Sequence, residues 1–84
     1  MLSDIIITPQ IERNVIEAFK KLHQHGVYHG DIRPANIIVR DDESVVLIDF
    51  ERSMLNANRM MLSEERDQVR HMLQVTKDTS RKYL

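Results

Sequence analysis

Two short β-branched runs joined by a charged segment constrain the fold of this chain more than any other feature. IIV at residues 37–39 and VVLI at residues 45–48 are separated by RDDES, which is rich in charged and turn-forming residues. Apolar runs of this length, bounded by turn signals, predict a β-hairpin. Because the apolar residues are continuous rather than alternating, both faces of the strands are predicted to be covered.

A helix is predicted before the hairpin. Thr8 can cap it, Pro9 suits its first turn, and apolar residues then recur at helical spacing as far as Leu22. Gly26 supplies the left-handed stop that commonly ends a helix. One face of this helix is apolar, so we expect it to cover one face of the hairpin.

A second helix is predicted after the hairpin, at about residues 63–77. Ser63 would cap it, and Glu64 and Glu65 would lie in its first turn, where acidic side chains are favourable. The segment MLNANRMM before it, at residues 54–61, has no clean period and is predicted to be irregular or a loose helix. Together these elements predict an α+β fold.

Composition limits the class of protein. The chain has 84 residues, 42% of them hydrophobic and 30% charged, which is typical of one globular domain spanning residues 1–84. A net charge of -1, with basic and acidic residues interspersed, predicts no binding to nucleic acid or to a membrane. The sequence has no cysteine, no signal-peptide pattern and no apolar run long enough to span a bilayer, so a cytoplasmic location is predicted.

Three polar side chains lie beside the apolar runs. Asp31 lies in a loop that contains Gly and Pro, Asn36 directly precedes the first run, and Asp49 directly follows the second. Hairpin pairing would bring Asn36 and Asp49 to the same end of the sheet, where their oxygen atoms suit Mg²⁺ or Mn²⁺. Asp49 would end a buried strand, where a metal ion or backbone donors would offset the cost of its charge. Asp31 would offer a free carboxylate nearby, a layout that suits phosphoryl transfer.

The same residues carry a resemblance to a known family. HGDIRPAN followed by LIDFE resembles the catalytic loop and the metal-binding loop of the protein-kinase-like superfamily, whose usual patterns are H-R-D-L-K-P-x-N and D-F-G. The spacing also matches, because His29-x-Asp31-x₄-Asn36 is followed thirteen positions later by Asp49. The resemblance covers about residues 9–53 and, in outline, the last helix. It implies a partial C-terminal kinase lobe: a long helix, the catalytic loop, a short β-hairpin and a C-terminal helix.

The resemblance implies a role for each matching residue. Asp31 would be the catalytic base, and Arg33, in place of the usual Lys, would contact the transferred phosphate. Asn36 and Asp49 would bind the metal ion, and Ile38 would lie under the adenine ring. The implied cofactors are therefore Mg²⁺ and ATP.

The chain departs from the family pattern at several positions. His29 and Phe50 match the spine residues that hold the two loops together, but Gly30 replaces the Arg that pairs with a phosphorylated activation loop. Activation by that route is therefore not expected, and His-Gly-Asp is instead common in relatives such as aminoglycoside phosphotransferases and small eukaryotic, including fungal, kinase-like proteins. Glu51 replaces the Gly of D-F-G, which restricts the backbone and adds a negative charge. No G-x-G-x-x-G, V-A-I-K or A-P-E occurs, so the domain is expected to be incomplete.

Three functions remain open at this point. The first is the core of an ATP-dependent phosphotransferase acting on a hydroxyl group, with protein Ser or Thr as the expected acceptor. The second is a catalytically silent, pseudokinase-type module that binds a nucleotide or a partner protein. The third is a small metal-dependent phosphohydrolase. Apolar surfaces left exposed by missing parts would favour self-association.

Other polar residues have simpler interpretations. His23, His25 and His29 could suggest a metal cluster, but contacts of histidines with the terminal carbonyl groups of a helix are the favoured interpretation. Asp67 could be the buried helix Asp that braces kinase catalytic loops, although a surface charge is favoured. His71 is expected to be a solvated helix residue.

Overall fold

Two helices and one hairpin make up most of the fold, in a computed structural model that describes residues 1–81. In chain order the elements are a 3-10 turn (Leu2–Asp4), helix α1 (Pro9–Gln24), a second 3-10 turn (Pro34–Asn36), strands β1 (Ile37–Val39) and β2 (Val45–Leu47), and helix α2 (Arg59–Arg81). The predicted α+β fold is confirmed.

Helix α1 begins and ends where its local sequence signals predict. The Oγ1 atom of Thr8 accepts a hydrogen bond of 3.1 Å from the backbone N–H of Ile11, which satisfies one of the free donors at the helix start. Pro9 occupies the first turn, where no backbone donor is needed. After Gln24 the chain leaves the helix through Gly26, whose φ of 73° is accessible to glycine at little cost.

The strands pair as an antiparallel hairpin, as predicted, but only one face is covered. Ile37 lies opposite Leu47 and Val39 opposite Val45, and this face packs against the core. Ile38 points to the other face and is partly exposed. The prediction that both faces are covered is therefore wrong for residues 1–81, because α2 packs against α1 rather than against the open face of the sheet.

Helix α2 begins four residues before the predicted start and extends four residues beyond the predicted end. The Oδ1 atom of Asn58 accepts a hydrogen bond of 2.9 Å from the backbone N–H of Met61, so Asn58 supplies the cap. The prediction that Ser63 caps this helix is wrong, because Ser63 lies one turn inside it. Residues 54–58, which precede α2, are irregular. Their sequence predicts this because their apolar residues follow no helical period.

Helices α1 and α2 run antiparallel and are joined at both ends of their contact. Lys77 of α2 lies 2.9 Å from the carboxylate of Glu12 near the start of α1. At the other end, Nε2 of His23 lies 2.8 Å from Oε1 of Glu65. Eleven residues separate Glu12 from His23 and twelve separate Glu65 from Lys77, so the two helices stay in contact over about three turns.

A single cluster of nine buried apolar residues forms the core within residues 1–81. It draws on the N-terminal 3-10 turn, both helices and the hairpin: Leu2, Ile7, Ile11, Val15, Phe19, Ile37, Val69, Met72 and Leu73. Burying a side chain of this size contributes about 1.5–3 kcal/mol. Several large apolar side chains remain exposed, including Phe50, Met54, Leu55 and Met60, and self-association through them stays a prediction. Within the described part of the chain, no helix combines the length and apolar character needed to cross a bilayer.

Candidate active site

The loop between α1 and β1 is held against the segment that follows β2. The backbone N–H of Tyr28 donates to the carbonyl of Met54 at 2.9 Å, and the N–H of Met54 donates back at 2.8 Å. Gly30 has a φ of 91°, and a Cβ atom at this position would collide with the backbone carbonyl group of Arg52. Glycine is therefore required here both by its backbone conformation and by this close approach. From the sequence, Gly30 was interpreted only as the loss of the Arg that pairs with a phosphorylated activation loop. In the structure it also allows two backbone segments to pack closely.

Asp31 presents its carboxylate at the end of this loop. Its side chain is only 18% exposed, and its Oδ1 atom lies 3.2 Å from Nε of Arg33, whose own side chain is largely exposed. This ion pair places a positive charge directly beside the carboxylate. Asp31 and Arg33, predicted from the sequence as catalytic residues, therefore lie together.

Asn36 is almost fully buried and is anchored to the same loop. Its Nδ2 group donates a hydrogen bond of 2.9 Å to the backbone carbonyl of Asp31. Because a carbonyl oxygen only accepts, this contact assigns the orientation of the amide. The Oδ1 atom then has no hydrogen-bond partner within residues 1–81 and remains accessible to solvent, so it can bind a cation.

Asp49 lies at the same end of the hairpin as Asn36. The N–H of Ile48 donates to the carbonyl of Asn36 at 3.0 Å, which extends the strand pairing by one residue pair and puts Asp49 directly beyond it. Asp49 is exposed rather than buried, so the expectation that its charge needs compensation for burial is wrong. Its φ of 62° is instead the unusual feature, because non-glycine residues in the left-handed region are uncommon and cluster at functional sites.

The donor atoms of Asn36 and Asp49 fit Mg²⁺. This ion is typically held by one or two protein oxygens, with water and phosphate oxygens completing its coordination. A free amide oxygen and an exposed carboxylate at one end of a hairpin supply that set. Within residues 1–81 no group of three or more His, Cys, Asp or Glu side chains could hold a metal ion.

His29 connects the loop that carries Asp31 to the strand end that carries Asp49. Its Nε2 atom lies 2.8 Å from the carbonyl of Ile48, and its Nδ1 atom lies 3.2 Å from the backbone N–H of Asp31. Because the carbonyl can only accept and the N–H can only donate, Nε2 carries the hydrogen and Nδ1 accepts. The ring of Phe50 packs on His29 with centroids 4.8 Å apart. His29 and Phe50 were predicted to match the spine residues that hold the two loops together, and their rings are in contact.

Glu65 supports the loop of the candidate site, and this role was not predicted from the sequence. It is fully buried, and its two carboxylate oxygens accept hydrogen bonds from the backbone N–H groups of His29, at 2.8 Å, and Gly30, at 2.9 Å. Nε2 of His23 also contacts Oε1 of Glu65. This carboxylate on α2 therefore braces the loop that carries Asp31.

The helical period of α2 contains a sequence signal for Glu65. Glu65 lies four residues before Val69 and eight before Leu73, so it falls on the buried face of α2. Asp67 is exposed, in agreement with the favoured interpretation as a surface charge.

The contacts of His23 and His25 differ from each other. Nδ1 of His25 contacts the carbonyl of Lys21 in the last turn of α1, which is the expected helix-end contact. His23 contacts Glu65 instead of a terminal carbonyl group. Ile38, predicted to lie under an adenine ring, is on the partly exposed face of the hairpin, where a planar group has access to it.

Comparison with known proteins adds independent findings. The family model described as protein kinase domain matches residues 5–77. Serine/threonine-protein kinase STN8, chloroplastic, from Arabidopsis thaliana is 40% identical over 45 residues, which are 54% of this chain and 9% of that protein. Dual specificity protein kinase Ttk from Danio rerio is 47% identical over 38 residues, which are 45% of this chain and 4% of that protein. Protein kinase YegI from Escherichia coli (strain K12) is 38% identical over 48 residues, 57% of this chain and 7% of that protein.

The matched regions are short parts of much longer proteins. The chain spans less than a tenth of the length of these three relatives. No solved structure matches the chain. The family match runs from residue 5 to residue 77, near the end of α2, and includes the loop, the hairpin and Glu65.

Proposed function

The chain belongs to the protein kinase family, and from this premise we propose that it forms the phosphoryl-transfer centre of an ATP-dependent kinase acting on a hydroxyl group. Members of this family generally use Mg²⁺ and ATP. We propose protein Ser or Thr as the source of the hydroxyl group, because the relatives include a serine/threonine-protein kinase and a dual specificity protein kinase.

One observation carries the proposal. Two hydrogen bonds of Asn36 bring the neighbouring segments to one end of the hairpin: its side chain donates to the Asp31 carbonyl, and its carbonyl accepts from the N–H of Ile48. Asp49 follows Ile48 directly. A catalytically silent module does not require the side chains of Asp31, Asn36 and Asp49 together, whereas phosphoryl transfer uses a metal site and a nearby carboxylate together.

Asn36 and Asp49 would hold the metal ion. When bound, Mg²⁺ would neutralise negative charge on the phosphate groups of ATP. The hydrogen bond from Asn36 to the Asp31 carbonyl fixes the amide so that its oxygen, not its nitrogen, is left for the ion. Pre-orientation of this kind lowers the cost of assembling the site.

Asp31 would accept the proton of the attacking hydroxyl group. A carboxylate in this role contributes about 10²–10⁴ in rate. Arg33, which lies beside Asp31 and is largely exposed, would turn its guanidinium towards the transferred phosphate. His29 would act as a positioning residue, because its two hydrogen bonds fix Asp31 relative to the strand end that carries Asp49. Ile38 would support the adenine ring from the open face of the hairpin.

A titration followed by an assay tests the proposal. Mg²⁺-ATP is added to isotopically labelled protein, the amide signals of Asn36 and Asp49 are followed by NMR, and phosphate transfer to Ser/Thr peptides is then measured. The proposal predicts shifts at both residues together with transfer, and a loss of transfer of about 10²-fold or more in Asp31→Asn.

The controls separate the alternatives. Asp49→Ala should abolish the shifts, whereas Asp41→Asn, in the exposed turn of the hairpin, should change neither binding nor transfer. Shifts without transfer would support the silent nucleotide-binding module. Transfer of phosphate to water alone would support the phosphohydrolase.

A further inference from the structure

We draw no further inference here: the strongest candidate, the contact between His23 of α1 and the buried carboxylate of Glu65 on α2, belongs to the support of the Asp31 loop already described for the candidate active site.

Discussion

The Oε1 atom of Glu65 accepts a hydrogen bond of 2.8 Å from the backbone N–H of His29. The two residues are 36 positions apart in the sequence, and Glu65 is completely buried. A buried carboxylate is tolerated when donors surround it, and here two backbone N–H groups and one histidine do so. The Glu65 side chain of α2 therefore holds the backbone, and not the side chains, of the loop that carries Asp31.

Replacing Glu65 should destabilise the protein strongly. In Glu65→Gln one carboxylate oxygen becomes an NH₂ group that faces an N–H donor, which leaves buried donors unsatisfied. We expect the free energy of unfolding in urea to fall by about 2–4 kcal/mol. Glu64→Gln is the matched control, since Glu64 is exposed, and should change it by less than about 0.5 kcal/mol. Equal effects of the two changes would mean that Glu65 does not brace the loop.

The two glycines should respond differently to alanine. Gly30→Ala places a Cβ atom against the carbonyl group of Arg52 and also strains a φ of 91°, so we expect a loss of about 2–4 kcal/mol. Gly26→Ala also strains a positive φ, but its Cβ would have only an ordinary contact of 4.0 Å, so a loss of about 1 kcal/mol is expected.

Hydrogen exchange gives a second readout for the glycine variants. The amides of Tyr28 and Met54, which pair across the contact, should exchange faster in Gly30→Ala than in Gly26→Ala. If both variants exchanged equally fast at these amides, the close approach of Arg52 would not be what requires glycine at position 30.

Removing the hydrogen bonds of His29 should loosen the link between Asp31 and Asp49. His29→Phe keeps an aromatic ring beside Phe50 but leaves the Ile48 carbonyl and the Asp31 N–H without their partner. We expect a loss of about 1–3 kcal/mol and faster exchange of the Asp31 amide. His71→Phe, on the exposed side of α2, is the control and should leave both quantities nearly unchanged. If His29→Phe changed neither the stability nor the exchange of the Asp31 amide, ring packing alone would hold the loops together.

Local signals account for the parts of the fold that were predicted correctly. The cap at Thr8, the proline after it and Gly26 bound α1 from neighbouring residues alone. The hairpin also follows from local pattern, because two apolar runs flank a turn. Its pairing then places Asn36 and Asp49 at the same end of the sheet without any further information.

The features that were missed depend on contacts between distant residues. The burial of Glu65 depends on hydrogen-bond donors in a loop more than thirty positions earlier in the sequence. Because the predicted helix began at Ser63, Glu65 was interpreted as an acidic residue of the first turn. The open face of the hairpin depends on where α2 packs, which the apolar pattern of the strands does not encode. The exposure of Asp49 also depends on where the other elements pack, since no element within residues 1–81 covers it.

Paramagnetic relaxation by Mn²⁺ tests the central claim most directly, because this ion takes the same oxygen ligands as Mg²⁺. Small amounts of Mn²⁺ are added with ATP, and the broadening of each amide signal is measured in the native chain and in Asp49→Asn. The account predicts that Asn36 and Asp49 broaden first and that Asp49→Asn largely removes the effect. Broadening that centres on Asp41 and Asp42 in the exposed turn, or that is unchanged in Asp49→Asn, would contradict a metal site formed by Asn36 and Asp49.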